Sequence, residues 1–318
     1  MATRLPKMSK KEKLTFLADI EDGYRPYDKH ALRLLRSLLD DPDAEVRSEA
    51  IACLWHDPDP RWIDVLIRKA TEDRHTDVRA HAISALGHYV YEGNAAAFED
   101  WDVTVFDITP EDYARVCDFL FRVARDPSEP LEARRYAIEA LAFREEDPDV
   151  CDLIEWAYQQ HDRRLKASAI FAMARNGAPC WTEYILAELR SPDPEIQYEA
   201  VRAAGELRLQ EATDTLIELV RGKGVRKPLR LLAIYALGET GDERAYPLLD
   251  RLTHSRDRDV RDVARDAIEM WVMVSAEEEM MEGEMLDEME EEERLMEDFQ
   301  AETLPDIWDD GTGMFSRN

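Results

Sequence analysis

Histidine and cysteine are the side chains of this chain that would ligate a transition metal or attack a substrate as a nucleophile. The chain holds seven His and four Cys, and they are scattered along its length. His81 and His88 stand seven residues apart and would share one helix face, which makes them a weak metal pair. H-E-x-x-H, a Gly-rich phosphate loop and G-x-S-x-G are all absent from the sequence. The sequence therefore predicts no catalytic residue, no metal site and no cofactor.

The cysteines and the apolar runs bear on where such a chain works. Cys53, Cys117, Cys151 and Cys180 are far apart and form no C-x-x-C motif, which is typical of reduced thiols. The first twenty residues carry charges where a signal peptide needs an apolar run. No apolar stretch reaches the roughly 18 residues of a membrane span. We expect a cytoplasmic protein that does not enter a membrane.

Charge limits the class of partner. The formal net charge is -29, and 45% of the residues are apolar, enough for a sizeable core. Binding to phosphate needs clustered Lys and Arg, so this balance disfavours direct contact with nucleic acid or an anionic membrane. We expect a protein partner of basic character, and the oligomeric state stays open.

A repeat determines which elements carry these residues. "DPDAEVRSEAIACL" at 41–54 returns as "RHTDVRAHAISALG" at 74–87 and in five later variants. One alanine aligns in all seven copies, and consecutive copies lie 31 to 33 residues apart except for one step of 55. The aligned alanines are Ala50, Ala82, Ala137, Ala169, Ala200, Ala233 and Ala264. Self-similarity at such a period is the signature of a repeat architecture.

Each repeat contains two amphipathic helical patterns joined by a short turn. The first pattern is seen in "PRWIDVLIRKATE" at 60–72, and the second is the motif above. An Asp three residues before the first apolar position of the motif would cap the second helix in four repeats, at Asp43, Asp162, Asp193 and Asp257. One such pair cannot bury its apolar faces, so we expect the pairs to stack.

The run D-x-x-V-R-x-x-A-x-x-A-L resembles the HEAT-repeat family, and more narrowly the short HEAT-like repeats of the phycobilisome lyases, over about residues 28–272. The resemblance implies an all-α, right-handed α-solenoid of about seven helix pairs that mostly serves as a protein-binding scaffold. Deoxyhypusine hydroxylase, an enzyme among such solenoids, looks recognisable by repeated His-Glu metal pairs, and this chain has no His-Glu dipeptide. The motif is specific for fold and says little about function.

The domain boundaries follow from the repeat. We expect a cap helix (about 9–20) and linker at 1–27, a solenoid at 28–275 with an insertion at 91–112, and an acidic tail at 276–318.

The motif arginines, such as Arg47, follow the first apolar position of each motif. We expect them to reach loop carboxylates of the neighbouring repeat and to form a ladder of ion pairs between repeats.

The family resemblance implies that the second helices line the concave face. Counted from the first apolar residue of the motif, positions two, six and nine should point away from the core. These positions are aromatic, apolar or Arg in several repeats, which is typical of a binding surface, although tight packing would bury some of the rings as core. The residues expected to contact a partner are Trp55, Arg135, Phe171, Tyr198, Arg202, Leu231 and Tyr235.

Two further segments are candidate contact elements. The insertion is rich in apolar residues and is read either as a protruding contact at the rim, through Phe98, Trp101 and Phe106, or as a lid over an exposed edge. The tail carries 17 Asp or Glu and two Arg. A solvated acidic tail is one interpretation. The tail also holds apolar residues at helical spacing, which favours docking in cis or in trans, through Met285, Met289, Leu295, Phe299, Ile307 and Trp308.

The sequence therefore favours a non-enzymatic scaffold or adaptor for a basic protein or peptide, using the concave face and the acidic tail. Two alternatives remain open. One is an accessory subunit of a lyase-like or other enzyme, for which a bound chromophore would be the signature. The other is an acidic mimic of nucleic acid that blocks a nucleic-acid-binding protein, for which steep salt sensitivity would be the signature.

Overall fold

A computed structural model describes residues 8–56, 59–98, 108–145, 147–277 and 280. Every regular element in these ranges is helical. The first helix of the described residues, α1 (Lys10–Glu21), stands alone, and seven helix pairs follow it within these ranges. The first helices of the pairs are α2 (Lys29–Leu38), α4 (Ile63–Glu72), α6 (Pro110–Arg125), α8 (Pro148–Tyr158), α10 (Thr182–Glu188), α12 (Thr213–Arg221) and α14 (Tyr246–Leu252). The second helices are α3 (Ala44–Ala52), α5 (Thr76–Phe98), α7 (Leu131–Leu141), α9 (Arg163–Asn176), α11 (Pro194–Glu206), α13 (Lys227–Glu239) and α15 (258–277).

The helix starts follow from capping residues that the sequence shows. Asp43 accepts hydrogen bonds from the amides of Glu45 and Val46, and Asp193 accepts them from the amides of Glu195 and Ile196. Asp162 and Asp257 cap α9 and α15 in the same way. Such caps satisfy backbone N–H groups that have no partner inside the helix.

The core runs continuously through the pairs. All seven aligned alanines of the motif have 0% exposed surface, because the small side chain lets the neighbouring helix backbone approach closely. Leucine, isoleucine and valine of both helices fill the space between pairs. The predicted α-solenoid of stacked pairs is confirmed, since each pair buries its apolar faces only against its neighbours.

The second helices form the inner layer. Consecutive second helices from α3 to α13 pack directly on one another, whereas consecutive first helices make far fewer contacts. In a stack of helix pairs that curves, the more closely packed layer lies on the inside, and by this criterion the second helices are the inner layer. Glycines permit this approach: a Cβ on Gly238 would lie 2.7 Å from the Cα of Ala267 in α15, and one on Gly205 would lie 3.0 Å from the Cα of Ala236 in α13.

This packing corrects the expectation for position nine. Ala142, Ala174, Gly205 and Gly238 occupy that position and are buried. Neighbouring second helices cover these small residues because the inner layer is so tight. Positions two and six are left at the surface in several pairs, and the candidate site is built from them.

The inter-repeat ladder of motif arginines is wrong for most of its members. Among the described residues, only two motif side chains reach a carboxylate of the next pair: Arg47, whose guanidinium lies 2.7 Å from Asp73, and Lys166, which lies 2.6 Å from Glu188. The motif side chains instead donate to backbone carbonyls where the first helix of their own pair ends, as Arg47 does to Asp41 at 2.8 Å. The other donors of this kind are Arg79, Arg134, Gln197, Arg230 and Arg261. A cation there satisfies helix C-terminal carbonyls and the helix dipole.

Other residues tie the pairs together. Lys69 binds Asp40 of the preceding pair at 2.7 Å, and Lys227 binds Asp257 of the following pair at 2.9 Å. Arg164 and Glu132 bridge α9 and the start of α7 at 3.2 Å. These ion pairs lie mostly at the surface, so they fix how neighbouring helix pairs align more than they add to the free energy of unfolding.

The segment predicted as an insertion, 91–112, is helical at both of its ends. Helix α5 continues to Phe98, so residues 91–98 are helical. Thr109 caps α6, which begins at Pro110. Residues 99–107 lie outside the described ranges. Within the part of the chain that the structure describes, no helix is both long and apolar enough to cross a membrane.

Candidate functional site

The repeat period arranges side chains of the inner layer in rows. Because consecutive second helices lie side by side, residues at one motif position fall next to their equivalents in the neighbouring pairs. We call the set on α7, α9, α11, α13 and the turn after α7 the inner-face cluster. Position two contributes Arg135, Tyr198 and Leu231, position six contributes Glu139, Phe171, Arg202 and Tyr235, and position ten contributes Phe143, Arg175, Glu206 and Glu239.

Phe171 is the centre of the cluster. The guanidinium carbon of Arg202 lies 4.3 Å from the centroid of its ring, and that of Arg175 lies 4.7 Å away. Arg175 also lies 4.5 Å from the Phe143 ring of the preceding pair. A cation over an aromatic face is attracted by the ring quadrupole, more strongly where water is excluded. Three successive pairs are thereby joined through alternating rings and cations.

The two arginines of this group differ in their partners. Arg202 donates to Glu199 at 2.8 Å and to Glu206, and its remaining Nη2 is buried with no hydrogen-bond acceptor among the described residues. Arg175 makes no ion pair within the described ranges, and burial lowers its pKa. A half-buried guanidinium that forms no ion pair has lost part of its hydration without a direct partner to replace it. Arg175 is therefore poised to gain from an added acceptor.

A second group lies one helix back. Arg135 donates Nε to the Ser168 hydroxyl at 2.8 Å, and that hydroxyl donates to Glu139 at 2.5 Å. Burial raises the pKa of Glu139, while the Ser168 hydrogen bond opposes the rise. These two hydrogen bonds fix the side chains of Arg135 and Glu139 on α7 against Ser168 on α9.

Glu239 ends the position-ten row. Burial raises its pKa to about 7, and the nearby Glu206 adds to the rise. Two neighbouring carboxylates cannot both ionise cheaply in a partly buried place. The charge at this end of the inner-face cluster therefore changes near neutral pH.

Most of the predicted concave-face residues lie together here. Tyr198 is 39% exposed. Phe171, Arg135, Arg202, Leu231 and Tyr235 are half-buried. Trp55 and Phe98 lie in helical backbone, but their side chains fall outside the described set. The predicted contact residues that lie wholly outside it are Trp101, Phe106, Met285, Met289, Leu295, Phe299, Ile307 and Trp308.

Position ten was missed by the sequence reasoning. Its members Phe143, Arg175, Glu206 and Glu239 share a spacing of 31 to 33 residues, the same period that defines the alanines. Extending the motif by one residue beyond position nine would have found the row, but not the contact of Arg175 with two rings. That contact depends on how neighbouring pairs stack.

The chemistry of the cluster is that of a recognition surface. It combines three guanidinium groups, several carboxylates and half-buried aromatic rings on a curved face. Aromatic and Arg side chains are the types that anchor protein interfaces. Within the described ranges, no group of three or more His, Cys, Asp or Glu side chains could hold a metal ion.

One family model agrees with the stacked pairs. The family model for HEAT repeats matches residues 32–101 and 182–269. No curated protein matches the chain. Among solved structures, human deoxyhypusine hydroxylase with glycerol is 18% identical, with a TM-score of 0.36 over 83% of this chain and 96% of that one.

Two further structures are similar at low identity. The CpcE–CpcF complex of phycocyanin lyase from Nostoc sp. PCC7120 is 15% identical, with a TM-score of 0.47 over 84% of this chain and 90% of that one. Importin beta is 11% identical, with a TM-score of 0.49 over 82% of this chain and 39% of that one. Likeness at this distance carries no information on function.

The helix pairs, their inner layer of second helices and the buried alanines define an α-solenoid with an aromatic and charged inner face. The match over five of its seven pairs identifies the repeats, and the chain is a HEAT-repeat protein.

Proposed function

We propose that this chain is a non-enzymatic scaffold or adaptor that binds a basic protein or peptide on its inner face. The observation that carries the proposal is the Phe171 group, in which a half-buried ring holds Arg175 and Arg202 beside exposed Tyr198. Rings and cations fixed in advance lose little side-chain freedom when a partner binds. The surface is therefore prepared for an extended segment of a protein.

The charge of the whole chain supports a basic client. The net charge is -29, and complementary charge raises the rate of encounter and suppresses wrong partners. The acidic tail at 276–318 would add to this attraction. A cytoplasmic location is part of the proposal, on the strength of the dispersed cysteines.

The test is retention of proteins from a native lysate by the full chain and by the double variant Arg175→Gln, Tyr198→Ala. We expect the double variant to lose the basic proteins that the wild type retains, since it removes the exposed Tyr198 ring and the Arg175 guanidinium that would donate to a backbone carbonyl of the client. Tyr24→Ala is the matched control, because Tyr24 is 82% exposed and lies in the turn after α1, away from the cluster. An unchanged set of retained proteins in the double variant would contradict the proposal.

A second comparison addresses the tail. The full chain and a 1–275 truncation are passed through the same lysate. Loss of the basic proteins with the truncation supports a tail that recognises the client. Retention of the same proteins, or of more, would remove the tail from the proposed binding mechanism.

A further inference from the structure

A basic groove lies between the first helices of the first two pairs, in a chain that is strongly acidic. Its volume is about 390 Å³. The lining consists of Lys29, Leu32, Arg33, Arg36, Arg61 and Trp62. Lys29, Arg33 and Arg36 are exposed on one face of α2. The groove is therefore a local concentration of positive charge on the side of the solenoid opposite to the inner layer.

The cations of α2 lack carboxylate partners. Lys29, Arg33 and Arg36 form no ion pair within the part of the chain that the structure describes. Among the described residues, Arg33 donates only its Nε, to the carbonyl of Lys29 at 3.0 Å. Arg36 lies over the Trp62 ring at 5.0 Å. In a protein with 70 Asp and Glu against 41 Lys and Arg, three neighbouring cations without carboxylate partners are a distinctive feature.

Trp62 supplies an independent observation. Its side chain is buried, with 3% of its surface exposed, and its indole N–H donates to no acceptor among the described residues. A buried N–H without a partner costs free energy that an incoming acceptor would recover. The groove thus combines three cations with the apolar side of Leu32, and Trp62, whose buried indole N–H lacks a partner among the described residues, forms part of its lining. This combination fits a peptide with carboxylates and apolar side chains.

We propose that this groove binds the acidic C-terminal segment of a second copy of the chain. Residues 302–310, "ETLPDIWDD", combine four carboxylates with Leu304, Ile307 and Trp308. The carboxylates suit the three cations and the Trp62 N–H, and the apolar residues suit Leu32. This assignment goes beyond client binding and does not depend on it.

Reach favours the second copy over the same molecule. The groove belongs to the first two pairs, and the chain leaves the described solenoid after the seventh. Five to six packing steps of about 8–10 Å each separate the groove from the last pair, so these ends are about 40–60 Å apart. The stretch from residue 280 to Asp306 has a root-mean-square end-to-end distance of about 30 Å as a coil and a length of about 40 Å as a helix, so most of its conformations fall short of the groove of the same molecule. A contact from one end to the other end of the next copy is heterologous and builds open chains.

The experiment uses full-length variants in sedimentation velocity over a range of concentrations. The groove variant is K29E/R33E/R36E, and the tail variant is E302Q/D306N/D309N/D310N. We expect the wild type to associate with rising concentration, and each variant alone to stay monomeric. Mixing the two variants should restore one contact and give a 1:1 dimer that does not grow, which also shows that both variants are folded.

The control variant is R221E/K223E/R226E, which reverses three exposed cations around the α12–α13 turn. It should associate like the wild type. Trp62→Phe, which removes only the N–H, should weaken association about 10-fold. A monomeric wild type together with a mixture that does not associate would overturn the proposal. A monomeric wild type with an associating mixture would also overturn it, because the segment would then occupy its own groove.

Discussion

At the scale of the residue, the inner face shows how one ring can hold two cations. Phe171 keeps Arg175 and Arg202 within 5 Å of its centroid, and only Arg202 is neutralised by carboxylates. Water cannot screen these half-buried groups fully, so two charges at a given distance interact more strongly here than at the open surface. Substitutions here should therefore change both binding and the response to pH.

Glu239→Gln should stabilise the protein at about pH 8 and much less at about pH 5. Burial and Glu206 raise the pKa of Glu239 to about 7. Between the ordinary pKa of a Glu and that value the folded state holds a proton that the unfolded state has lost, so stability falls as the pH rises through this window. Urea unfolding of wild type and variant at both pH values measures this, with the exposed Glu269→Gln as the control for loss of one charge. A gain that is equal at both pH values would contradict the assignment.

Arg47→Met should destabilise the protein strongly. The Arg47 and Asp73 side chains are each 5% exposed and are joined by two hydrogen bonds of 2.8 and 2.7 Å. Removing one partner leaves a buried charge, which costs about 3–5 kcal/mol. Burial alone would raise the pKa of Asp73, but hydrogen bonds from Arg47 and the His75 amide hold it below its ordinary value. The difference between wild type and variant should therefore shrink in acid.

Thermal and urea unfolding provide the measurement for Arg47. Arg258→Met is the control, because Arg258 and Asp262 form an exposed pair at 3.3 Å that should contribute less than about 1 kcal/mol. Equal losses in the two variants would contradict a special role for the buried pair.

At the scale of the element, the sequence specifies the helices well and their mutual contacts less well. Patterns within single repeats are enough to predict the seven helix pairs, their capping aspartates and their buried alanines. Arg79, Arg230 and Arg261 are expected to bind carboxylates of the neighbouring repeat, but they donate to backbone carbonyls of their own pair. A flexible side chain has several acceptors within reach, and the sequence does not rank them. Position nine was misjudged for a related reason, since its burial depends on the distance between neighbouring second helices.

Gly238→Ala should destabilise the solenoid by about 1–3 kcal/mol, even though Ala favours a helix. A Cβ at this position would meet backbone atoms of Ala267, with the Cα at 2.7 Å, so a whole helix would have to move. Gly87→Ala is the graded control, because its nearest neighbour is the Cβ of Ala140 at 3.1 Å. Urea unfolding should rank Gly238→Ala as the more damaging change, and the reverse order would contradict the close packing of the inner layer.

At the scale of the whole molecule, charge and curvature act together. The inner face presents rings and paired charges, the opposite side of the first two pairs presents a basic groove, and the net charge of the chain is -29. The sequence predicts the inner face because position six recurs with the repeat. It does not predict the groove, because Trp62 and the α2 cations come from different pairs.

Partner binding should weaken as salt rises, but it should not vanish. Raising NaCl from about 0.05 to about 0.5 M shortens the screening length and removes most of the long-range attraction. The aromatic anchors on the inner face are insensitive to salt. A steep and complete loss of retained proteins, measured by stepwise elution, would instead favour an acidic mimic of nucleic acid.

Hydroxyl-radical footprinting tests the central claim, that the inner face recognises the partner, most directly. Tyr198 on the inner face and Tyr24 in the turn after α1 are both exposed, at 39% and 82%, and serve as probe and internal reference in one molecule. The account predicts that a retained partner lowers the oxidation of Tyr198 and leaves that of Tyr24 unchanged. Unchanged oxidation of Tyr198 in the complex would contradict it.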